Sequence, residues 1–466
     1  MGSITFLNLI GMKNKELTRR TFLRKTSFGA AGLTLASNNF SRLFANIQQD
    51  SNKLALLGGN PVRPKGSVLG IKWPVIEKRD LEMYIQAFRD KNWSEYSNRK
   101  EEFGTQFNEE YAKFMGVNYC AVTNAGTQAL EAAQRAFDIG PGDEVITQTN
   151  TFVATPQSTF NLFALPILVD TDPETFMINP DLIEERITRN TKAIIPVHIG
   201  GAVANMDKIL AIAKKHNLAV IEDCCQAHSA EWRNKKVGSI GDLGCFSFQQ
   251  FKSLPAGEGG AVIGNDEYLV ARVGAYVNNG RDPRGKGRIF PGANLRPTSF
   301  QSANMLSQLK RQDEQNEHRD KNVTYLEQLL SGIKGIKPTR KYDGQTRRAY
   351  YAYQMVYEKE YFSGLSKAKF MEALQAEGIP VNNGIDSNLH KDPFIDAYLN
   401  LDSFKRIYSK ERLDKYKKEL QCPVNEHLQA EIGISLYQAV FLGPKRDMED
   451  IVTAIAKIQK NASKLL

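Results

Sequence analysis

Gly241-Asp242-Leu243-Gly244-Cys245-Phe246-Ser247-Phe248-Gln249-Gln250-Phe251-Lys252-Ser253-Leu254-Pro255-Ala256-Gly257-Glu258-Gly259-Gly260 sets one lysine between a Phe-Ser-Phe strand and a glycine-rich turn. A lysine carries covalent chemistry when its amine is made nucleophilic, and an aldehyde cofactor uses such an amine as a Schiff base. Most lysines are solvated surface charges. Lys252 therefore acquires meaning only from what else the chain presents.

Upstream, Leu218-Ala219-Val220-Ile221-Glu222-Asp223 reads as a short buried strand that delivers Asp223 at its carboxyl end. Open α/β sheets bind ligands at that edge. A carboxylate there can pair with the ring nitrogen of pyridoxal phosphate and keep the ring an electron acceptor. Further upstream, Thr123-Asn124-Ala125-Gly126-Thr127-Gln128-Ala129-Leu130 is a small-residue turn opening a helical pattern that runs on to Phe137. Free amides at a helix start favour a phosphate, Gly126 permits close backbone approach, and Thr127 offers a hydroxyl and an amide. An ordinary N-capped helix is the competing reading of this stretch.

The order of phosphate turn, aromatic (Phe152 in Thr151-Phe152-Val153-Ala154), Asp-bearing strand and lysine loop resembles the DegT/DnrJ/EryC1/StrS family of pyridoxal-phosphate sugar aminotransferases. The likeness runs from Leu57-Gly58-Gly59-Asn60-Pro61 through Gly142-Asp143-Glu144-Val145-Ile146 and Glu222-Asp223-Cys224-Cys225-Gln226-Ala227-His228 to Gly292-Ala293-Asn294-Leu295-Arg296 and the last helix. It implies the fold type I of pyridoxal-phosphate transferases, aspartate aminotransferase-like. That is an α/β fold with a large, mainly parallel sheet domain and a smaller C-terminal α/β domain.

Carried over residue by residue, the resemblance makes Lys252 the internal aldimine lysine and proton shuttle, and Asp223 the partner of the pyridinium nitrogen. Gln226 resembles the residue that bonds the cofactor's phenolic oxygen. Gly126, Thr127 and Ser247 match phosphate-binding positions, and Phe152 matches the aromatic that covers the ring. Asn294 resembles a residue supplied across a homodimer interface to the neighbouring subunit's phosphate. His228 either faces the substrate or satisfies a backbone carbonyl. Arg281, in the basic stretch Arg281–Arg288, belongs to a solvated loop or reaches an anionic substrate or a neighbouring subunit. Where relatives often carry glycine, this chain has Ser229-Ala230, so the path of that loop is its own.

Composition agrees with a large folded enzyme: 41% of the 466 residues are hydrophobic, 24% are charged, and strands alternate with helices, as in Ala193–Val197 followed by a helix from Asp207 to His216. Residues 51–310 are expected to form the cofactor domain and 311–466 the smaller one, where Ile451, Ile455 and Ile458 recur at helical spacing. The formal charge of +9 suggests nucleic acid, but the first fifty residues hold seven of the 61 basic and two of the 52 acidic residues. The remainder carries +4 with no recognisable nucleic-acid module. Five cysteines lack metal-ligand or disulfide-framework spacing, and no structural metal is expected.

In the leader, Thr18-Arg19-Arg20-Thr21-Phe22-Leu23-Arg24-Lys25 precedes a mildly apolar run from Phe28 to Ala36. This resembles a twin-arginine export signal over residues 1–50, with a disordered basic tail as the other reading. The run is too short for stable membrane insertion. Export in folded form to the periplasm or beyond is the expectation, and a cytoplasmic protein if the leader does not act.

Three functions fit. The first is transfer of an amino group from an amino acid, glutamate or glutamine, to a keto-sugar or cyclitol ketone. The second is a dehydratase or lyase using the same cofactor, and the third a non-catalytic carbohydrate-binding relative. Dehydratase branches of the family carry histidine at the lysine position, so Lys252 points to transamination. The full set Lys252, Asp223 and Gln226 argues against a mere binder.

Overall fold

The computed structural model describes residues 53–95, 99–384 and 388–466, so the twin-arginine-like stretch lies outside the described residues. Its centre is a seven-stranded sheet in the order β1-β9-β8-β5-β4-β2-β3. The strands are β1 (Tyr119–Thr123), β2 (Glu144–Gln148), β3 (Leu165–Val169), β4 (Thr191–Ile195), β5 (Ala219–Asp223), β8 (Leu243–Ser247) and β9 (Gly260–Gly264). Only β9 runs against its neighbours; the β2–β3, β2–β4, β4–β5 and β5–β8 pairs are parallel. Parallel strands need helices on both faces, and their side chains alternate between two cores. Ile146, Ile194 and Val220 point to one core, while Val145, Ile195 and Ile221 enter the other. Between β5 and β8, the short strands β6 (Glu231–Trp232) and β7 (Lys235–Lys236) pair with β11 (Gln345–Arg347) in a small separate sheet.

A second core forms around the antiparallel sheet β10-β12-β14-β13, with β10 at Ile336–Pro338, β12 at Ala352–Tyr357, β13 at Asn382–Asn383 and β14 at Gly433–Tyr437. The helices Gln312–Leu330, Lys367–Ala376 and Lys445–Asn461 cover it. Ile451, Ile455 and Ile458 are fully buried there on one helix face.

Two stretches correct the expected division at residue 310. Leu54 and Leu69 pack in the smaller core, because the buried Glu377 carboxylate accepts from the amides of Ala55 (2.9 Å) and Val62 (3.0 Å). Conversely, Ile395, Leu399, Phe404, Tyr408 and Tyr416 belong to the core of the large sheet. Their segment wraps Phe160: the rings of Tyr398, Phe404 and Tyr416 lie 4.8, 5.7 and 6.4 Å from it. Aromatic burial of this size outweighs sequence proximity to the smaller sheet.

Candidate active site

Strands β5 and β8 end side by side at Asp223 and Ser247, and the turns after β1 and β2 reach the same edge. There they enclose a cavity of about 400 Å³ lined by Gly126, Thr127, Phe152, Asp223, Gln226, Ser247 and Lys252. These seven residues, scattered over more than a hundred positions, were all expected from the sequence.

Lys252 sits in a hairpin that prolongs the β8–β9 pair. Phe248 donates to Gly259 O (2.8 Å), Gln250 to Gly257 O (2.9 Å) and Lys252 to Gln249 O (2.8 Å). Gly257 adopts a left-handed φ of +87°, which explains a glycine at the tip. The lysine is 8% exposed, and its amine lies 4.4 Å from the centroid of the Tyr351 ring. That face of the ring attracts a cation.

Asp223 is held at both oxygens. Thr155 Oγ1 donates to Oδ2 at 2.8 Å and the Cys225 amide to Oδ1 at 3.1 Å, while the Thr151 hydroxyl pairs with that of Thr155 at 2.8 Å. The neighbouring Glu222 faces away, accepting from the amides of Ile240 (2.8 Å) and Gly241 (2.7 Å). His198 Nε2 bonds Glu222 at 3.0 Å, so although His198, Glu222 and Cys224 stand within 4.8 Å of one another, two of the three are already satisfied without an ion.

The helix Gly126–Ala136 begins at Ala125 with no side-chain cap, which leaves the first amides free for an anion. A side chain at Gly126 would place its Cβ 2.6 Å from Cβ of Ser247, so glycine is what lets this turn meet β8. Gln226 Oε1 accepts from the Gly200 amide at 2.8 Å, and its NH2 remains the group able to donate into the cavity. Phe152 is half exposed on the cavity wall. Burial, followed by the charge of Asp223, pushes the Cys225 thiol well up, so it lines the cavity as a neutral group.

Three expected residues lie elsewhere. His228 is buried against the edges of Phe246 and Phe248, with ring centroids 5.4 and 5.5 Å away, and does not line the cavity. Burial, then the charges of Lys252 and Arg319, push its pKa down to about 3, with contact to the Ser247 backbone opposing. It is a neutral core residue, and the substrate-facing reading is corrected. Arg281 pairs backbone with Arg288 in its loop and is likewise outside the cavity lining. Asn294 is exposed on a strip that bridges to Asn278, also outside its own chain's cavity. Conversely, Thr155 and Tyr351 were not anticipated. Thr155 sits in the first turn of the helix Ala154–Phe160, four residues after Thr151; Tyr351 comes from the smaller domain, with no local signal.

The donors and acceptors fit pyridoxal phosphate: uncapped amides at Gly126 and Thr127 with the Ser247 hydroxyl for the phosphate, Asp223 for the ring nitrogen, Gln226 for the phenolic oxygen, and the Lys252 amine for the aldehyde. A lysine-centred cofactor site at the carboxyl edge of a mainly parallel sheet defines the fold type I architecture. A model of the DegT/DnrJ/EryC1/StrS aminotransferase family matches residues 74–432, and the chain belongs to that family. It is 34% identical over 431 residues to the L-glutamine:2-deoxy-scyllo-inosose aminotransferase of Streptoalloteichus tenebrarius, covering 88% of this chain and 99% of that one. Among solved structures, an aminotransferase from Psychrobacter cryohalolentis superimposes with TM-score 0.73 at 28% identity over 84% of this chain and all of that one. A 3-amino-5-hydroxybenzoic acid synthase gives TM-score 0.73 at 26% identity over 84% and 98%.

Proposed function

We propose that this aminotransferase moves the amino group of L-glutamine or L-glutamate to the ketone of a cyclitol of the inosose class. The observation that carries the reading is the meeting of the Lys252 amine, the doubly held Asp223 carboxylate and the uncapped amides of Gly126 and Thr127 in one cavity. The relative's activity on 2-deoxy-scyllo-inosose supports the acceptor class. When bound, pyridoxal phosphate supplies an electron sink that lets the donor's α-hydrogen leave as a proton. Lys252 is the base that takes that proton from the α-carbon and the acid that returns one to the carbon of the incoming ketone. Asp223 would pair with the ring nitrogen, Gln226 would bond the phenolic oxygen, and the Ser247 hydroxyl would hold the phosphate.

The test is a spectral titration of the cofactor-loaded full-length protein. L-glutamine or L-glutamate should bleach the cofactor's visible band, 2-deoxy-scyllo-inosose should restore it, and Lys252→Ala should do neither. A wild-type band indifferent to both donors would refute the proposal, and restoration only by a nucleotide-linked keto-sugar would refute the acceptor class.

A homodimer completes the reading. The helix Lys78–Arg89 exposes Leu81, Tyr84, Ile85 and Phe88 at i, i+3, i+4 and i+7 spacing, an apolar stripe suited to a second copy, and exposed Asn294 then serves the partner's phosphate. Light scattering should give twice the chain mass, falling to one in Leu81→Glu/Phe88→Glu. Export rests on Thr18–Lys25, and it favours a free cyclitol over a nucleotide-activated sugar, which is made and kept inside cells. Arg19→Lys/Arg20→Lys should hold the protein in the cytoplasmic fraction; an unchanged distribution would count against export by this route.

A further inference from the structure

Arg319, on the helix Gln312–Leu330, heads the large side chains wholly removed from solvent. Its partners are all neutral. Nη1 donates to Asn316 Oδ1 at 3.1 Å, Nη2 donates to Gln438 Oε1, and Cζ lies 5.5 Å from the centroid of the Trp73 ring. A buried cation without a carboxylate is costly, and here burial pushes its pKa down to about 9. Such a group needs a reason to be there.

The reason lies one bond further on, because both Gln438 and Trp73 spend their donors on the lysine loop. Trp73 Nε1 donates to Gln250 O at 2.9 Å. Gln438 Nε2 donates to Phe251 O at 3.2 Å and, at a longer 3.4 Å, to Lys252 O, and the Tyr437 hydroxyl adds 2.7 Å to Phe251 O. The carbonyls of residues 251 and 252 belong to the two peptide planes that flank Cα of Lys252. Fixing both planes fixes the φ and ψ from which the side chain departs. An amide side chain can face either way, but with Oε1 taken by a guanidinium its NH2 must face the carbonyls. The outside donors come from residue 73, 177 positions before the carbonyl it meets, and from residues 437 and 438, 186 and 187 positions after theirs.

We infer that Arg319 is a positioning residue for Lys252, orienting Gln438 and bracing Trp73 so that the backbone on both sides of the lysine is clamped. The inference rests on the proposed function, since it assigns Lys252 the proton transfer. A clamp of this kind sets the rate of that transfer and leaves donor docking alone, because none of its members lines the cavity.

Two variants test it in the full-length, cofactor-loaded protein. Gln438→Glu keeps a partner for Arg319 and removes both N–H donors; Arg319→Met removes the cation. Single-turnover bleaching by L-glutamine, followed over a range of donor concentrations, should show the limiting rate constant lowered by about tenfold or more in each, with the apparent donor Kd changed less than about twofold. Without cofactor, amide exchange should quicken over residues 249–253 and not across β4 and β5. A limiting rate equal to wild type in Gln438→Glu, or a loss confined to the donor Kd, overturns the inference while leaving the proposed function intact. A wild-type protein that no donor bleaches removes the proposed function and this inference with it.

Discussion

Thr155 shows how one hydroxyl shapes the site: it donates to Asp223 and is itself met by Thr151. A hydrogen bond to a charged group contributes about 1.5–3 kcal/mol. Thr155→Val, nearly isosteric, is therefore expected to slow the donor half-reaction by roughly 10- to 100-fold with cofactor still bound. Stopped-flow absorbance checks this, and an undiminished rate would mean that the Cys225 amide holds the carboxylate alone. His228 makes a different prediction. Its folded pKa of about 3 lies below the ordinary 6.5, so between those values the unfolded chain binds a proton that the folded protein refuses. Its contribution is fully present above pH 6.5 and is lost as pH falls towards 3, at roughly 1.4 kcal/mol per unit. Denaturant midpoints between pH 7 and pH 5 should fall less steeply in His228→Gln than in wild type.

At the scale of elements, the site is a set of strand ends and the turns that follow them. The helix Gly126–Ala136 can approach β8 only because its first residue lacks a Cβ, and no side chain caps the amides of its first turn. Gly126→Ala is expected to push helix and strand apart and to weaken cofactor binding by about tenfold or more, measured by titration of the apoprotein. Cofactor affinity equal to wild type would show that the turn yields without cost. The lysine hairpin is the second such element. Its strand and its glycine-rich turn were legible in the run from Phe246 to Gly260, because left-handed glycine turns are local. Its outside donors were not, because Trp73, Tyr437 and Gln438 meet it only through the fold.

Across the whole molecule, two cores share the site. The large domain brings Asp223, Gln226, Ser247 and Lys252 to one cavity, and the smaller domain supplies Tyr351 against the Lys252 amine. The segment 393–419 seals the far edge of the large sheet, with Tyr416 and Tyr408 donating to the carbonyls of Pro166 (2.8 Å) and Phe163 (2.7 Å). Phe404, fully buried in that seal, should cost about 3–5 kcal/mol on replacement by alanine, and amide exchange should then quicken along β3 while the β12–β14 pair is unchanged. Quickening in β12 and β14 instead would return this segment to the smaller domain.

Lys252, Asp223 and the Gly126-Thr127 turn were readable in one dimension because each is tied to a local pattern: a lysine between strand and glycines, a buried strand ending in a carboxylate, a helix start rich in small residues; Gln226, Ser247 and Phe152 were expected only through the family resemblance. The mainly parallel sheet followed from the same alternation of strands and helices. Thr155 apart, what remained hidden depends on contacts between distant segments. His228 went inward because the packing of Phe246 and Phe248 left a neutral space there, and residues 393–419 joined the large core because Phe160 offered their aromatic rings more burial than the smaller sheet did. Local chemistry is written in neighbouring residues, whereas burial is settled only when distant side chains compete for the same volume, and that competition placed Tyr351, Gln438 and Arg319 around the lysine.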